Sequence, residues 1–191
     1  MKKVDELKKH LKKGKVYRRE ELARYSTSVD RHLQELVKEG TLRKVATGLY
    51  AYPKDSEFGK TPPAEKELVK SYLRDERFLL TSPNAFNALG VGTTQLYNTQ
   101  TVYNHKRDGH VRLGNQTYRF VHRANFPRKL TTEFLMVDLV NSLDDLAEDT
   151  EEVLEKVKTR LHDFDLKKMR RFVREYGTNK TRKLLTPLLH D

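Results

Sequence analysis

Five residues near the start of the chain have the types and spacing to read duplex DNA: Arg31, Gln34 and Lys38, then Arg43 and Lys44. Arg31, Gln34 and Lys38 follow one another at steps of three and four, so a helix advancing about 100° per residue carries them along one side. A guanidinium, an amide and an ammonium on such a side are donors suited to base edges and phosphate oxygens. Arg43 and Lys44 add charge that suits a phosphate backbone.

The elements that must position these side chains are legible around them. Arg19 to Arg24 reads as a short helix with Leu22 and Ala23 inward. Tyr25 to Ser28 supplies a turn and an N-cap. A second helix from about Ser28 to Glu39 places Val29, Leu33, Leu36 and Val37 on one face, which leaves Arg31, Gln34, Glu35 and Lys38 on the other. Gly40 ends it, and a hairpin follows in which Leu42 and Val45 lead to a Thr47-Gly48 turn and Leu49 to Tyr52 return before Pro53. Arg43 and Lys44 are expected beside the hairpin tip. With a first helix over residues 4 to 13 and a short strand at Val16-Tyr17, the order is that of a winged helix-turn-helix over residues 1–53, the geometry of a duplex-DNA reader. Such modules also dock proteins or serve as scaffold, so the fold alone does not fix the function.

Charge supports a polyanionic partner. The 191 residues carry a net charge of +11 with 36% hydrophobic and 34% charged residues. Residues 1–53 hold 14 Lys and Arg against 7 Asp and Glu, residues 54–130 hold 13 against 7, and residues 131–191 hold 11 against 13. The basic excess therefore lies in the first two thirds. Cysteine is absent, which excludes disulfides, thiolate metal sites and a cysteine nucleophile. No apolar run is long enough to span a bilayer, and the expected setting is the cytoplasm, without membrane attachment.

Beyond residue 53 the expectation is a second, α+β domain over residues 54–191, with a mixed α/β region containing an antiparallel sheet over 54–130 and a helical region over 131–191. Lys54 to Thr61 reads as a polar boundary, with Thr61 as N-cap of a helix bearing Leu68, Val69, Tyr72 and Leu73. Phe78 to Thr81 reads as a strand, Ser82-Pro83 as the start of a brief helix stopped at Gly90, Thr99 to His105 as a strand, and His110 to His122 as a hairpin around Gly114-Asn115. In that hairpin Val111, Leu113, Tyr118 and Phe120 share one face, and His110, Arg112, Thr117 and Arg119 the other. Lys106, Arg107, Arg112, Arg119 and Arg123 thus form a possible second basic surface for nucleic acid or an acidic partner, or ordinary polar alternation of a half-buried sheet. Helices are expected from Thr132, Thr150 and Asp165, with a final one around Leu184 to Leu189. The lysines and arginines of Lys167 to Arg174 read as backbone contacts, or as a solvated face balancing the acids of Asp144 to Glu155.

No catalytic set emerges. The seven histidines are scattered, none at the i, i+4 spacing of a helical metal pair, and no Gly-x-Ser-x-Gly elbow or phosphate-binding loop occurs. Neither an enzyme nor a metal or other cofactor is expected.

The helix pair followed by Gly40-Thr41-Leu42, the hairpin ending Gly48-Leu49-Tyr50, then Phe58-Gly59-Lys60-Thr61-Pro62 and Ser82-Pro83-Asn84-Ala85-Phe86-Asn87-Ala88-Leu89-Gly90 with a strand-rich sequel, resemble the AbiEi-type antitoxins. These are the antitoxin half of type IV, abortive-infection toxin-antitoxin pairs. Order and spacing over most of the chain carry the resemblance, and Val91 to Tyr97 departs from it. It implies a winged-helix domain that binds operator DNA and represses its own operon, a C-terminal domain needed for antitoxin activity, and a nucleotidyltransferase-like toxin as functional partner. The DNA-reading role then falls on Thr27, Ser28, Arg31, Gln34 and Lys38, with Arg43 and Lys44 in the wing. The alternatives are a winged-helix transcription regulator with a ligand- or partner-sensing C-terminal module and no toxin, and a nucleic-acid-processing enzyme.

Overall fold

The computed structural model describes residues 3–57 and 59–189. The fold is mixed α+β, built of helices and antiparallel sheets. Contacts divide the chain into two compact units, residues 1–76 with 111–117, and residues 77–110 with 118–191. No described helix is long and apolar enough to cross a membrane.

The first unit begins with helix α1 (Lys3–Lys9), strand β1 (Val16–Arg18) and a single-turn helix α2 (Arg19–Leu22) continued by a 3-10 turn, Ala23–Tyr25. Helix α3 (Val29–Lys38), β2 (Arg43–Ala46) and β3 (Leu49–Ala51) follow. The strands pair antiparallel in the order β1-β3-β2. Val29, Leu33 and Leu36 of α3 pack in one cluster with Val4, Leu7, Leu22 and Leu42. Leu33 and Leu36 are fully buried, each contributing on the order of 2 kcal/mol of transfer free energy. Gly40 ends α3 with φ of 75°, and the Thr41 and Leu42 amides donate back to Leu36 O at 2.9 and 3.0 Å. A β-carbon disfavours that left-handed backbone, which is why glycine stands there.

Residues expected as a polar boundary fold instead as a small hairpin, β4 (Lys54–Ser56) with β5 (Gly59–Thr61), ahead of α4 (Glu65–Leu73). Thr61 is therefore a strand residue, and Ala64 occupies the N-cap of α4 without a side-chain bond. The other end of α4 is held from a distance in sequence. The Arg18 guanidinium donates to Ser71 O and Tyr72 O, both at 2.7 Å, so a cation meets the unpaired carbonyls at the negative end of the helix.

In the second unit, β6 (Phe78–Thr81) pairs antiparallel with β7 (Thr99–Asn104), after which the chain forms β8 (Gly109–Leu113) and β9 (Gln116–His122). The sheet order is β6-β7-β9-β8, and residues 111–117, around the β8–β9 turn, cluster with the first unit. A 3-10 segment, Pro83–Leu89, opens where the Asn84 amide donates to Ser82 Oγ. Four helices complete the unit: α5 (Thr132–Ser142), α6 (Thr150–Arg160), α7 (Leu166–Tyr176) and α8 (Asn179–Leu185). Each is capped by a side-chain oxygen, of Thr131, Asp149, Asp165 and Thr178 in turn. The α5 and α6 caps lie one residue before Thr132 and Thr150, the first helical residues.

Helix α5 is the centre of this unit's core, since every residue from Phe134 to Val140 is buried. Among them is Asp138, 1% exposed. Its carboxylate accepts the Tyr103 hydroxyl at 2.7 and 2.9 Å and an Arg123 N–H at 3.3 Å, while the Arg123 guanidinium stands 4.1 Å over the Tyr103 ring. Burial pushes the Asp138 carboxyl above the usual carboxylate range, against the opposing pull of Arg123 and the Tyr103 hydrogen bond. Burial likewise raises the Tyr103 phenol.

Two outcomes follow from this packing. Above about pH 4 an unfolded aspartate releases its proton while folded Asp138 still holds one, so the folded chain binds more protons and this residue's contribution to stability falls as pH rises toward its raised pKa. Asp138→Asn removes that component, and the difference in unfolding free energy between variant and wild type shifts in the variant's favour from pH 4 to pH 7. A difference constant over that range would mean that Asp138 ionises alike in both states. At Gly177, a β-carbon would collide with the carbonyl oxygen of Val173, so Gly177→Ala lowers stability by about 1–3 kcal/mol, read from the denaturant midpoint.

Candidate nucleic-acid interface

The cluster that buries Val29, Leu33 and Leu36 turns the opposite side of α3 to solvent. Arg31, Gln34 and Lys38 are exposed there, Glu35 is half-buried, Thr27 is exposed and Ser28 half-buried. The approach to α3 is fixed by a polar contact absent from the sequence reading. His32, 4% exposed, hydrogen-bonds through Nδ1 with Ser26 Oγ at 2.7 Å, and the Ser28 amide donates to the same oxygen at 3.2 Å. A lone histidine within a helix gave no signal that it would bond backwards into the turn.

One acidic residue stands on the first turn of α3, and it is neutralised. Arg19 donates to both carboxylate oxygens of Asp30, at 2.6 and 2.5 Å. That hydrogen-bonded pairing holds the Asp30 carboxyl below its usual range. A bidentate guanidinium leaves little negative field beside Arg31 to repel a phosphate. Among the described residues Arg31, Lys38, Arg43 and Lys44 take part in no ion pair.

Arg43 and Lys44 are exposed but do not flank the hairpin tip. Arg43 stands opposite Ala51 and Lys44 opposite Tyr50, the far end of the ladder from Thr47-Gly48. Val45 is the extra residue of a bulge between Lys44 and Ala46. Its carbonyl accepts the Gly114 amide at 2.8 Å, and Arg112 Nε donates to Gly114 O at 3.2 Å. Within the first unit, Arg112 is therefore brought to the β8–β9 turn that sits on β2.

The structure does not gather the other four residues expected beside Arg112 into one unpaired face. Arg119 donates to Asp145 at 2.9 Å, Arg123 is held by buried Asp138, and the backbone amides of Lys106 and Arg107 donate to Asn104 Oδ1 at 2.8 and 2.7 Å. A different cationic stripe stands clear. Lys167, Arg170, Arg171 and Arg174 are exposed along α7 at i, i+3, i+4 and i+7, with no ion pair among the described residues. Among the described residues all but Glu151 of the acids of residues 144–155 are engaged elsewhere: Asp144 with Lys180, Asp145 with Arg119, Glu148 with the amides of Thr94 and Gln95, Asp149 with the amide of Glu152, Glu152 with Lys156 and Glu155 with Lys158. Among the described residues no group of three His, Asp or Glu converges to hold a metal ion.

No curated protein matches the chain. Its fold is similar to that in the crystal structure of the Rv2827c protein from Mycobacterium tuberculosis, with a TM-score of 0.58 at 16% identity over 97% of this chain and 74% of that one. A sequence family described as a family of unknown function, DUF6088, matches residues 3–172, and the chain belongs to that family.

Proposed function

We propose that this chain is the antitoxin of a type IV toxin-antitoxin pair and the DNA-binding autorepressor of its own operon, without catalytic activity of its own. The observation that carries the DNA half is the row Arg31, Gln34 and Lys38, exposed and unpaired among the described residues, on a helix whose opposite face is locked in a core. Around it, the order helix, strand, helix, helix, strand, strand with sheet order β1-β3-β2 matches that of a winged helix-turn-helix. In this reading α3 enters the major groove, with Thr27 and Ser28 at its entrance, and Arg43 and Lys44 meet phosphate from the wing. The cations of α7 are further candidates for backbone contact, worth charge but no sequence preference. The antitoxin half rests on the resemblance in order and spacing to the AbiEi-type antitoxins, and it makes a nucleotidyltransferase-like toxin the functional partner.

The test of the DNA half is binding to the gene's own upstream duplex and to a scrambled duplex at several salt concentrations. Wild type prefers the upstream duplex at high salt, and replacing Arg31 and Lys38 together with alanine lowers that affinity at least tenfold without moving the thermal midpoint. Equal, steeply salt-dependent binding to both duplexes would reduce the charge to non-specific attraction. Unchanged binding by the double variant would remove α3 from the mechanism. For the antitoxin half, co-expression with a nucleotidyltransferase encoded beside the gene restores growth that the nucleotidyltransferase alone arrests. Failure to restore growth, with operator binding intact, would leave a transcription regulator without a toxin.

A further inference from the structure

The second unit contains a cavity of about 230 Å³ bounded by β6, β7, β9 and α5. The DNA-binding and antitoxin reading makes no use of it. Its floor is the Tyr103, Asp138 and Arg123 group, Phe86, Val121 and Leu146 give it an apolar side, and Ser82, Tyr97 and Arg119 add polar groups.

The carboxylate and amide acceptors around this cavity are taken by protein groups, while its guanidinium donors are not exhausted. Asp138 is occupied by Tyr103 and Arg123, and Asp145 by Arg119. Asn141 is engaged on both sides, donating to Tyr176 O and accepting from the Thr178 amide. A guanidinium has five N–H groups, and Arg119 and Arg123 each direct one at a carboxylate. The oxygens of Ser82 and Tyr97 accept from backbone amides of Asn84 and Ala147, which leaves each hydroxyl its own proton to donate. Thr81, 5% exposed, lines the same cavity with its hydroxyl buried and without a hydrogen-bond partner among the described residues. A buried hydroxyl left unpaired costs on the order of 1–3 kcal/mol.

From this surplus of donors over an apolar wall we infer that the cavity is a binding site for a small organic oxyanion, a phosphate or carboxylate. Its charged end takes N–H groups of Arg119 and Arg123, and its carbon skeleton lies against Phe86 and Val121. The volume falls below the ~300–1,000 Å³ of sites for drug-sized molecules, which limits the ligand to a few carbon atoms beyond the charged group.

Calorimetric titration of the full chain, without DNA, with ribose 5-phosphate, succinate and inorganic phosphate tests the site independently of the DNA reading. At least one of the two organic anions binds with a dissociation constant in the millimolar range or below. Displacement of ribose 5-phosphate by inorganic phosphate assigns the site to phosphates, and binding of succinate alone assigns it to carboxylates. Arg119→Gln weakens binding at least tenfold. Thr81→Val leaves binding unchanged, because the hydroxyl it removes has no surface open to the cavity, and leaves the thermal midpoint unchanged or higher. The proposal is overturned if no probe binds, or if Arg119→Gln binds as tightly as wild type.

Discussion

The burial of one stripe of α3 governs what the rest of the first unit presents. Leu33 and Leu36 have no exposed surface, and rotating the helix to bring Arg31 or Lys38 inward would expose them and bury a charge together, at a cost of several kcal/mol. The outward face is therefore fixed by the inward one. The polar contacts around α3 refine rather than create that placement: Arg19 cancels Asp30 on the first turn, and Ser26 with His32 fixes the turn that precedes it. A surface of three donors at helical spacing is the residue of this packing, and among the described residues no acid pairs with its cations.

The second unit answers to a different constraint, a carboxylate in the middle of its most buried helix. Asp138 is flanked in sequence by Val137 and Leu139, both with no exposed surface. Such a group is tolerated only where hydrogen bonds and a countercharge converge on it. Tyr103 from β7 and Arg123, just beyond β9, meet this requirement, so the polar group ties the sheet to α5 with a specific geometry that apolar packing alone would not impose. Asp138 is the shared member of both hydrogen bonds, so removing it would leave the buried Tyr103 hydroxyl without its acceptor and Arg123 without its countercharge.

Much of this was legible in the chain, and the misses have physical causes. Periodicity placed the stripe of α3, and alternation placed Leu113, Tyr118 and Phe120 inward with Arg112 and Arg119 outward, since both signals come from burial itself. The β4–β5 hairpin was invisible because all its described strand residues are exposed, so no alternation marks them. Arg43 and Lys44 were misplaced relative to the tip by reading the hairpin as regular, when Val45 forms a bulge. The cavity of the second unit had no signature, since Thr81, Tyr103, Arg123 and Asp138 come from four separated stretches, and a single aspartate in an apolar helix reads only as an exception to its pattern. The acids of residues 144–155 looked like a counterweight to α7 because composition shows totals, whereas all of them but Glu151 are taken by neighbours chosen by geometry.

The hydrogen bond from Gly114 to Val45 bears on solubility as well as on shape. In the order β1-β3-β2, β2 is an edge strand, whose outer rim of unpaired backbone groups invites another chain to add a strand. A bulge at Val45 breaks the regularity an incoming strand would need, the β8–β9 turn occupies its carbonyl, and exposed Arg43 and Lys44 place two positive charges on the same short strand. A second copy approaching that rim would meet a distorted, partly occupied ladder and like charge. The first unit thus keeps an open three-stranded sheet while guarding its β2 edge against self-association.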